Sequence, residues 1–272
     1  MMVEKLIGEG LLRECKVGRI DDKCDLALPL VVMNPHKGEI EVATSQKVSL
    51  VVWHNDAKEC TLTIRIAPHA VVALTEVYAS EKYTSLTIEQ GEASECTVTT
   101  VMLRGAHSSY ETLLNAPHSS FTMNAAVVAT GFDHAQLSLV TRHNVEDCKS
   151  NSTIKSVASG RAVAEFKGLV YVAKDAQRTD AKQLNRNVEI GGGRVVSEPQ
   201  LEIYADDVKC SHGSTVGQLD EQAIYYMRQR GISQSAAEKL LLEGFVGEVV
   251  AKCDIEPLAD MLCEALQNRL NE

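Results

Sequence analysis

Hydrophobic and polar residues alternate with a period of two through the middle of the chain. From about residue 48 to residue 172, short runs of β-branched and apolar residues are separated by Gly, Pro, His, Asn or Asp, which is typical of successive β-strands. No ten-residue amphipathic helix interrupts this region. The clearest predicted strands are Ser49–Trp53, Thr61–Ile66, Ser85–Glu89, Thr97–Leu103, Ser120–Val128, Gln136–Thr141 and Ala162–Val172.

The spacing of these strands favours a stacked solenoid. Aromatic residues make up only 4% of the chain, fewer than a sandwich core usually recruits, whereas small and branched residues suit the interior of stacked coils. Residues 59–63 (Glu-Cys-Thr-Leu-Thr) and 95–99 (Glu-Cys-Thr-Val-Thr) indicate recurring coils, although no fixed period spans the region. A two-sheet sandwich is the alternative on this pattern.

After Gly217 the pattern changes to that of helices. Residues 220–230 are predicted to form a short amphipathic helix that ends at Gly231, a favourable left-handed cap. A second helix should start at Ser233 or Ser235 and a third should run from about residue 255 to 270. The apolar stripe of the second helix is predicted to contain Leu240, Leu241, Phe245, Val249 and Val250.

The 272-residue chain is predicted to have three parts. Residues 1–47 lead into the β body, residues 48–217 form the β core, and residues 218–272 form a small α-helical C-terminal domain. Part of the helical apolar surface is expected to exceed what the β body can cover, which would suit a protein partner.

Composition narrows the class of protein. A formal net charge of -10 and a pI near 5.3 argue against a surface that collects nucleic acid or anionic lipid. The first ten residues lack the apolar stretch of a signal peptide or membrane helix, so we expect a soluble cytoplasmic protein. Without a CxxC pair, the cysteines are expected to be free thiols, mostly small buried hydrophobes. They are Cys15, Cys24, Cys60, Cys96, Cys148, Cys210, Cys253 and Cys263.

One long motif resembles a known family. Residues 199–217, with the sequence PQLEIYADDVKCSHGSTVG, closely resemble the signature of the SufB/SufD family. Asn185-Arg186-Asn187 precedes the motif, and residues 218–221 and 225–232 follow it in the order that the family shows. The specific resemblance covers about residues 183–250. The motif is more like SufD than SufB, and the chain is short for either subunit.

The resemblance implies a mainly β protein, a right-handed parallel β-helix with a helical C-terminal domain. It also implies a scaffold subunit of the SUF system on which iron and sulfide are assembled into a transient iron–sulfur cluster. ATP hydrolysis would belong to a SufC-type ATPase partner, so the chain itself is not expected to be an enzyme. Family members pair through the β-helix, here as a homodimer or as a heterodimer with a SufB/SufD paralogue. A sulfur donor protein and a reduced flavin are further candidates.

Cys210 and His212 are the candidate cluster-binding residues. A thiolate binds iron and sulfide well, an imidazole is a borderline ligand, and residues at i and i+2 of a strand project to one face. By resemblance, the histidine matching His212 contributes to cluster formation at a dimer interface. The alternative is a buried thiol beside a histidine that closes a turn before Gly213. Of Asp206 and Asp207, at most one can join the site, since adjacent strand residues face opposite sides.

By the same resemblance, the helices from Asp220 to about Lys252 form the SufC-docking surface, and its candidate contact residues are Tyr226, Arg230, Leu241 and Phe245. For Phe245, a place in the core is an equal alternative.

Two other functions compete with this scaffold. The first is an adaptor that binds SufC without holding a cluster, against which the presence of Cys210 and His212 weighs. The second is a polysaccharide-acting enzyme, since many β-helices have that activity, but the single Trp and the lack of an export signal argue against it. The triple glycine at residues 191–193 lacks the Lys-Ser/Thr of a P-loop and is predicted to be a turn.

Overall fold

The computed structural model describes residues 2–271, which form 17 strands and four helices. The odd-numbered strands, which form one sheet, are β1 (Arg13–Glu14), β3 (Leu30–Met33), β5 (Lys47–His54), β7 (Val71–Tyr78), β9 (Glu95–Met102), β11 (Ser120–Ala129), β13 (Lys149–Ser159), β15 (Asp180–Ile190) and β17 (Lys209–Gly217). The even-numbered strands, which form the other, are β2 (Arg19–Asp21), β4 (Lys37–Ala43), β6 (Cys60–Ile66), β8 (Tyr83–Gln90), β10 (His107–Leu114), β12 (His134–His143), β14 (Val163–Val172) and β16 (Arg194–Ile203). The helices are α1 (Met2–Gly8), α2 (Glu221–Gln229), α3 (Gln234–Val250) and α4 (Glu256–Arg269).

The chain alternates between the two sheets, and every strand pairs in parallel with the strand two places along the chain. Two consecutive strands and their turns therefore form one rung of a solenoid. Near the start Lys47 pairs with Val71, whereas Lys149 pairs with Asp180, so the rungs lengthen along the chain. This lengthening explains the lack of a fixed sequence period. The predicted mainly β solenoid is confirmed, and the sheets are not those of an antiparallel sandwich.

Every strand predicted from the pattern is present, but the sheets begin earlier than residue 48. Strands β1 to β4 already lie within residues 13–43 and pair with the sheets. The two similar pentapeptides lie on β6 and β9, which belong to opposite sheets. They therefore do not occupy equivalent positions in the rung, and their similarity reflects only the shared alternation of inward and outward residues.

The interior is built from columns of inward-facing residues that are stacked through the parallel register. One column of the nine-stranded sheet changes character along the solenoid. Its members, in order, are Leu30, Leu50, Leu74, Val98, Met123, Ser152, Gln183 and His212. We call this set the His212 column. Its first five residues are apolar and buried, and its last three are polar.

A separate polar cluster lies within the apolar rungs. The buried Glu76 carboxylate contacts His54 Nε2 at 2.7 Å and accepts a hydrogen bond from the hydroxyl of Tyr110. Thr100 Oγ1 lies 2.8 Å from the same hydroxyl. Burial and the charge of Glu76 raise the pKa of Tyr110, so the phenol stays protonated and can donate to the carboxylate. These contacts satisfy a carboxylate that would otherwise be costly to bury.

The helices cover the outer face of the nine-stranded sheet. Helices α1, α3 and α4 pack there on apolar residues such as Val51, Trp53 and Val101. Helix α2 has no buried residue, and Tyr225 and Tyr226 are 64% and 57% exposed. The helical region therefore keeps apolar surface that the β body does not cover.

The helix ends lie at the predicted capping residues, except that one of the two candidate N-caps of α3 is not used. Asp220 caps α2 by accepting hydrogen bonds from the backbone of residues 222 and 223, and Gly231 follows with a φ of +86°. For α3, Ser233 is the N-cap and Ser235 is not. The predicted stripe of α3 is wrong in part, because Leu240 is 50% exposed. The buried side instead contains Ala237, Leu242, Val246, Val249 and Val250.

The triple glycine forms the turn between β15 and β16, as predicted. Gly191 and Gly192 have φ values of +59° and +98°, a backbone region that glycine adopts without strain. No described helix has the length and apolar character needed to cross a bilayer.

Candidate metal-binding site

The candidate site lies on β17, the last strand of the nine-stranded sheet. β17 pairs with β15 along one edge, and no other strand of residues 2–271 pairs with its opposite edge. Most of β17 is exposed, as is half of β16, the last strand of the other sheet. We call β16 and β17 together the open end of the solenoid.

The structure places Cys210 and His212 on the same side of β17, as their i, i+2 spacing predicts. Their register partners on β15 are Ala181 and Gln183, both of which are buried in the interior row. Cys210 and His212 therefore lie on the inward-facing side of β17. At this open end His212 is exposed and Cys210 is half-buried.

The thiol of Cys210 packs against a small apolar cluster that includes Val170, Val172 and Ala205. Burial raises the pKa of Cys210, and the charge of Asp180 adds to the shift, while a hydrogen bond with the backbone of Ala181 opposes it. The thiol is therefore protonated near neutral pH, and a bound metal ion would have to displace its proton.

A polar network extends from the buried interior to the open end. Asn187 Nδ2 donates to Asn185 Oδ1 at 2.5 Å and to the carbonyl of Thr215 at 3.0 Å. The hydroxyl of Ser197 donates to Asn185 Oδ1 at 2.6 Å and lies 2.7 Å from Ser214 Oγ. The network ties the two sheets together just beside Cys210 and His212.

The sequence pattern did not predict this network. Asn185 and Asn187 form part of the family resemblance, and their i, i+2 spacing on a strand signals a shared face. That this face is buried could be inferred only from the strand register, because Asn is usually an exposed residue.

Two acidic residues are placed differently from the prediction. Asp206 and Asp207 lie in the turn before β17 and not on a strand. The backbone of Asp207 closes the turn, since its carbonyl accepts from Arg178 N and its N–H donates to Gln177 Oε1. Within residues 2–271, no three His, Cys, Asp or Glu side chains are grouped closely enough to hold a metal ion.

The four predicted docking residues fall into two pairs. Tyr226 lies on the exposed helix α2 and Arg230 is its C-cap, with the guanidinium 5.1 Å from the ring centroid of Tyr226. Leu241 and Phe245 on α3 are half-buried and line a groove against the ends of β15 and β17. The groove does not include the α2 pair.

Phe245 is held in place by a buried lysine. Lys155 Nζ donates to the carbonyl of Phe245 at 2.9 Å, lies 4.7 Å from its ring centroid and forms an ion pair with Glu248. Phe245 therefore contributes to the packing of α3 and also lines the groove.

All eight cysteines are free, as predicted, but only Cys60, Cys96 and Cys148 are buried. The expectation that most of them are buried hydrophobes is wrong, since four others are half-buried. Burial raises the pKa of Cys96 to about 12, which keeps its thiol unreactive. Cys263 on α4 is the exposed one.

A family model described as "SUF system FeS cluster assembly, SufBD core domain" matches residues 33–245. The chain belongs to the SufBD core family. The match runs from the end of β3 into α3, so it includes most of the solenoid, helix α2 and most of α3, and it confirms the resemblance drawn from residues 199–217.

Curated relatives give the same family. The chain is 36% identical over 160 residues to the iron-sulfur cluster assembly protein SufD of Escherichia coli (strain K12), a match that covers 58% of this chain and 38% of the relative. It is 34% identical over 191 residues to a SufBD family iron-sulfur cluster assembly protein of Synechocystis, covering 64% of this chain and 40% of the relative. A SufD of Bacillus subtilis is 30% identical over 115 residues, covering 42% and 26%. The matches thus span at most two-fifths of the length of these relatives.

Proposed function

We propose that this SufBD family chain is a scaffold subunit of a SUF complex, in which it binds a SufC-type ATPase and helps hold a nascent iron–sulfur cluster at a dimer interface. The observation that carries the proposal is the placement of Cys210 and His212 in one row at the open end of the solenoid. ATP hydrolysis would belong to the SufC-type partner, and the chain itself would catalyse no reaction.

The donor set suits iron bound together with sulfide. A thiolate is a soft ligand, an imidazole is a common iron ligand, and iron–sulfur clusters accept both types. One chain offers two donors here, whereas a cluster usually takes four protein ligands. A twofold-related second chain would supply the same pair again, and a paralogue would supply its own.

The edge of β17 is suited to pairing with such a partner. An exposed edge strand presents unpaired backbone N–H and C=O groups, which favour the addition of a strand from another chain. Pairing there would bring a partner next to Cys210 and His212. Either a homodimer or a heterodimer with a SufB/SufD paralogue satisfies this geometry.

The helical region supplies a separate surface for the ATPase. Tyr226 and Arg230 are exposed on a helix that buries no residue, and Leu241 and Phe245 line the adjacent groove. Aromatic and Arg side chains are enriched among residues that dominate binding energy at protein interfaces. A sulfur donor protein stays a prediction, and a reduced flavin finds no support in the described contacts, so none is proposed.

The cluster part is tested by anaerobic reconstitution together with a SufC-type ATPase. Iron, acid-labile sulfide and visible absorbance are compared in wild type, Cys210→Ala and His212→Ala, with circular dichroism to establish folding. The matched control is Cys263→Ala, which removes an exposed thiol far along the chain on α4. We expect both site variants to lose most of the bound iron and sulfide and the control to retain them. Full retention in both folded site variants would overturn the cluster assignment.

The docking part is tested by co-purification with the SufC-type ATPase. We expect the double variant Tyr226→Ala/Arg230→Ala to weaken the complex at least tenfold. The matched control, Tyr83→Ala, removes an aromatic side chain that is 60% exposed on the eight-stranded sheet, and it should bind normally. Unchanged binding of the double variant would contradict the α2 assignment. A complex that forms normally but holds no iron or sulfide would favour the adaptor function instead.

A further inference from the structure

Gln183 lies directly beneath His212 in the His212 column. The two residues are register partners on β15 and β17, so their α-carbons are separated only by the spacing of neighbouring strands, about 4.8 Å. Both side chains lie on the inward-facing side of their strands. Gln183 is therefore the residue of the preceding rung that stands closest to the base of the His212 side chain.

The amide of Gln183 is buried without a hydrogen-bond partner. The residue is only 2% exposed, and neither Oε1 nor Nε2 is hydrogen-bonded to any described group. By contrast, Asn185 and Asn187 on the same strand form hydrogen bonds within the polar network. Buried amides are nearly always hydrogen-bonded, so an unpaired one next to a candidate site suggests a role there.

The opposite sheet leaves room for this amide. Gly168 on β14 faces Gln183, and a Cβ atom at Gly168 would lie 2.5 Å from both Oε1 and Nε2. The same Cβ would lie 2.6 Å from Cζ of Phe166. Any larger residue at position 168 would therefore displace the amide. A glycine inside a strand weakens it, and here the glycine allows a polar side chain to occupy the interior.

We propose that Gln183 is a positioning residue for His212. A rotation of the unpaired amide from Gly168 toward the open end would let its side-chain carbonyl accept the hydrogen of one imidazole nitrogen, which would fix the tautomer and leave the lone pair of the other nitrogen directed toward a metal ion. Histidines that bind metals generally donate their second ring N–H to such a partner, and the loss of that partner weakens metal binding. This inference rests on the proposed function in that it takes His212 as a metal ligand.

Ser152, the next residue down the column, does not satisfy the amide. Its hydroxyl donates to the carbonyl of Lys182 at 3.4 Å. Gln183 is thus the last buried polar residue of the column before the exposed imidazole, and no described hydrogen bond holds its amide away from His212.

The test combines imidazole ¹⁵N NMR with Co²⁺ titration of the full chain. The His212 signals are assigned by their absence in His212→Ala. Gln183→Leu keeps the size of the side chain and removes the acceptor, whereas Gln183→Glu keeps the acceptor. Ser152→Ala is the matched control, because it removes a polar group one rung lower in the same column.

We expect one neutral tautomer of His212 to dominate in wild type, Gln183→Glu and Ser152→Ala. In Gln183→Leu the tautomer ratio should approach that of free histidine, and the apparent affinity for Co²⁺ should fall about 10- to 100-fold. If Gln183→Leu does not fold, Gln183→Ala provides the same comparison. An unchanged tautomer ratio in the folded acceptor-free variant would overturn the inference.

The two proposals fail in different ways. If His212→Ala binds Co²⁺ as tightly as wild type, the metal-ligand role of His212 is wrong, whatever the NMR spectra show. If His212→Ala loses Co²⁺ while Gln183→Leu keeps both the wild-type tautomer ratio and the wild-type affinity, the ligand role stands and the positioning role of Gln183 is wrong.

Discussion

The early and the late rungs of the solenoid fill the same interior position with opposite chemistry. In the His212 column, Leu50 and Leu74 are 0% and 1% exposed and pack in the main apolar cluster. In the late rungs the same position holds Ser152, Gln183 and His212. The backbone geometry is common to both regions, so the difference lies in the surroundings of each rung.

For His212 the difference follows from the place of its rung in the stack. A rung with neighbours on both sides loses all contact with water in its interior, and apolar side chains gain most from that burial. The last rung has a neighbour on one side only, so its inward residues keep access to solvent. The imidazole of His212 can therefore occupy this rung at little cost, and a ligand from outside can reach it, whereas Ser152 and Gln183 have rungs on both sides and are buried.

The strongest test of this comparison is truncation in the apolar part of the column. Leu74→Ala removes a buried side chain from the middle of the stack, and we expect a loss of about 2–5 kcal/mol in the free energy of unfolding. Urea unfolding followed by circular dichroism measures it.

The matched variant is Ser152→Ala in the same column. Its hydroxyl makes one long hydrogen bond, and its removal should change the free energy of unfolding by about 1 kcal/mol or less. Equal losses in the two variants would contradict the contrast between the rungs.

The second prediction concerns the buried His143, which lies at the end of β12 and contacts Ser150 Oγ at 2.8 Å through Nε2. Burial lowers the pKa of His143 to about 4 from the ordinary value of 6.5. Between these values the unfolded chain binds the proton and the folded chain does not, so stability falls as the pH falls from about 6.5 to about 4. The full contribution is about 3 kcal/mol.

Urea unfolding measured at several pH values checks this prediction. In His143→Asn the part of the pH dependence between pH 6.5 and 4 that comes from this residue should disappear. The matched control His118→Asn changes an exposed histidine in a turn and should keep the wild-type profile. A wild-type profile in His143→Asn would show that His143 is not held neutral by burial.

The third and smallest effect concerns the polar network at the open end. Asn185→Ala removes the oxygen that accepts hydrogen bonds from the Asn187 amide and the Ser197 hydroxyl. The loss should lower the free energy of unfolding by about 1–3 kcal/mol. Ser214→Ala, which removes only an exposed hydroxyl of the same network, should stay within about 0.5 kcal/mol of wild type. Thermal unfolding of the two variants gives the comparison, and equal stabilities would argue against a structural role for the network.

Much of the fold could be predicted locally. The period-two alternation located the seven strands that were predicted, and Asp220 and Gly231 marked the two ends of α2, because strand periodicity and helix capping depend on residues only a few positions apart. The apolar stripe of α3 was predicted less well. Leu240 lies on the exposed side and Leu242 on the buried one, because the sheet beneath α3, and not the periodicity of α3, determines which side is covered.

For the candidate site, too, the local features could be predicted from the sequence and the long-range features could not. The sequence by itself determined that Cys210 and His212 share one face of a strand and that residues 199–217 carry a family signature, since both follow from neighbouring positions. Only the tertiary structure decided that this strand is the last of its sheet, that Gln183 stands beneath His212 and that Gly168 makes room for its amide. These relations depend on the register between rungs, and the length of each rung varies with its turns. A register that joins residues about 30 positions apart is set by the packing of the whole solenoid, which no local pattern records.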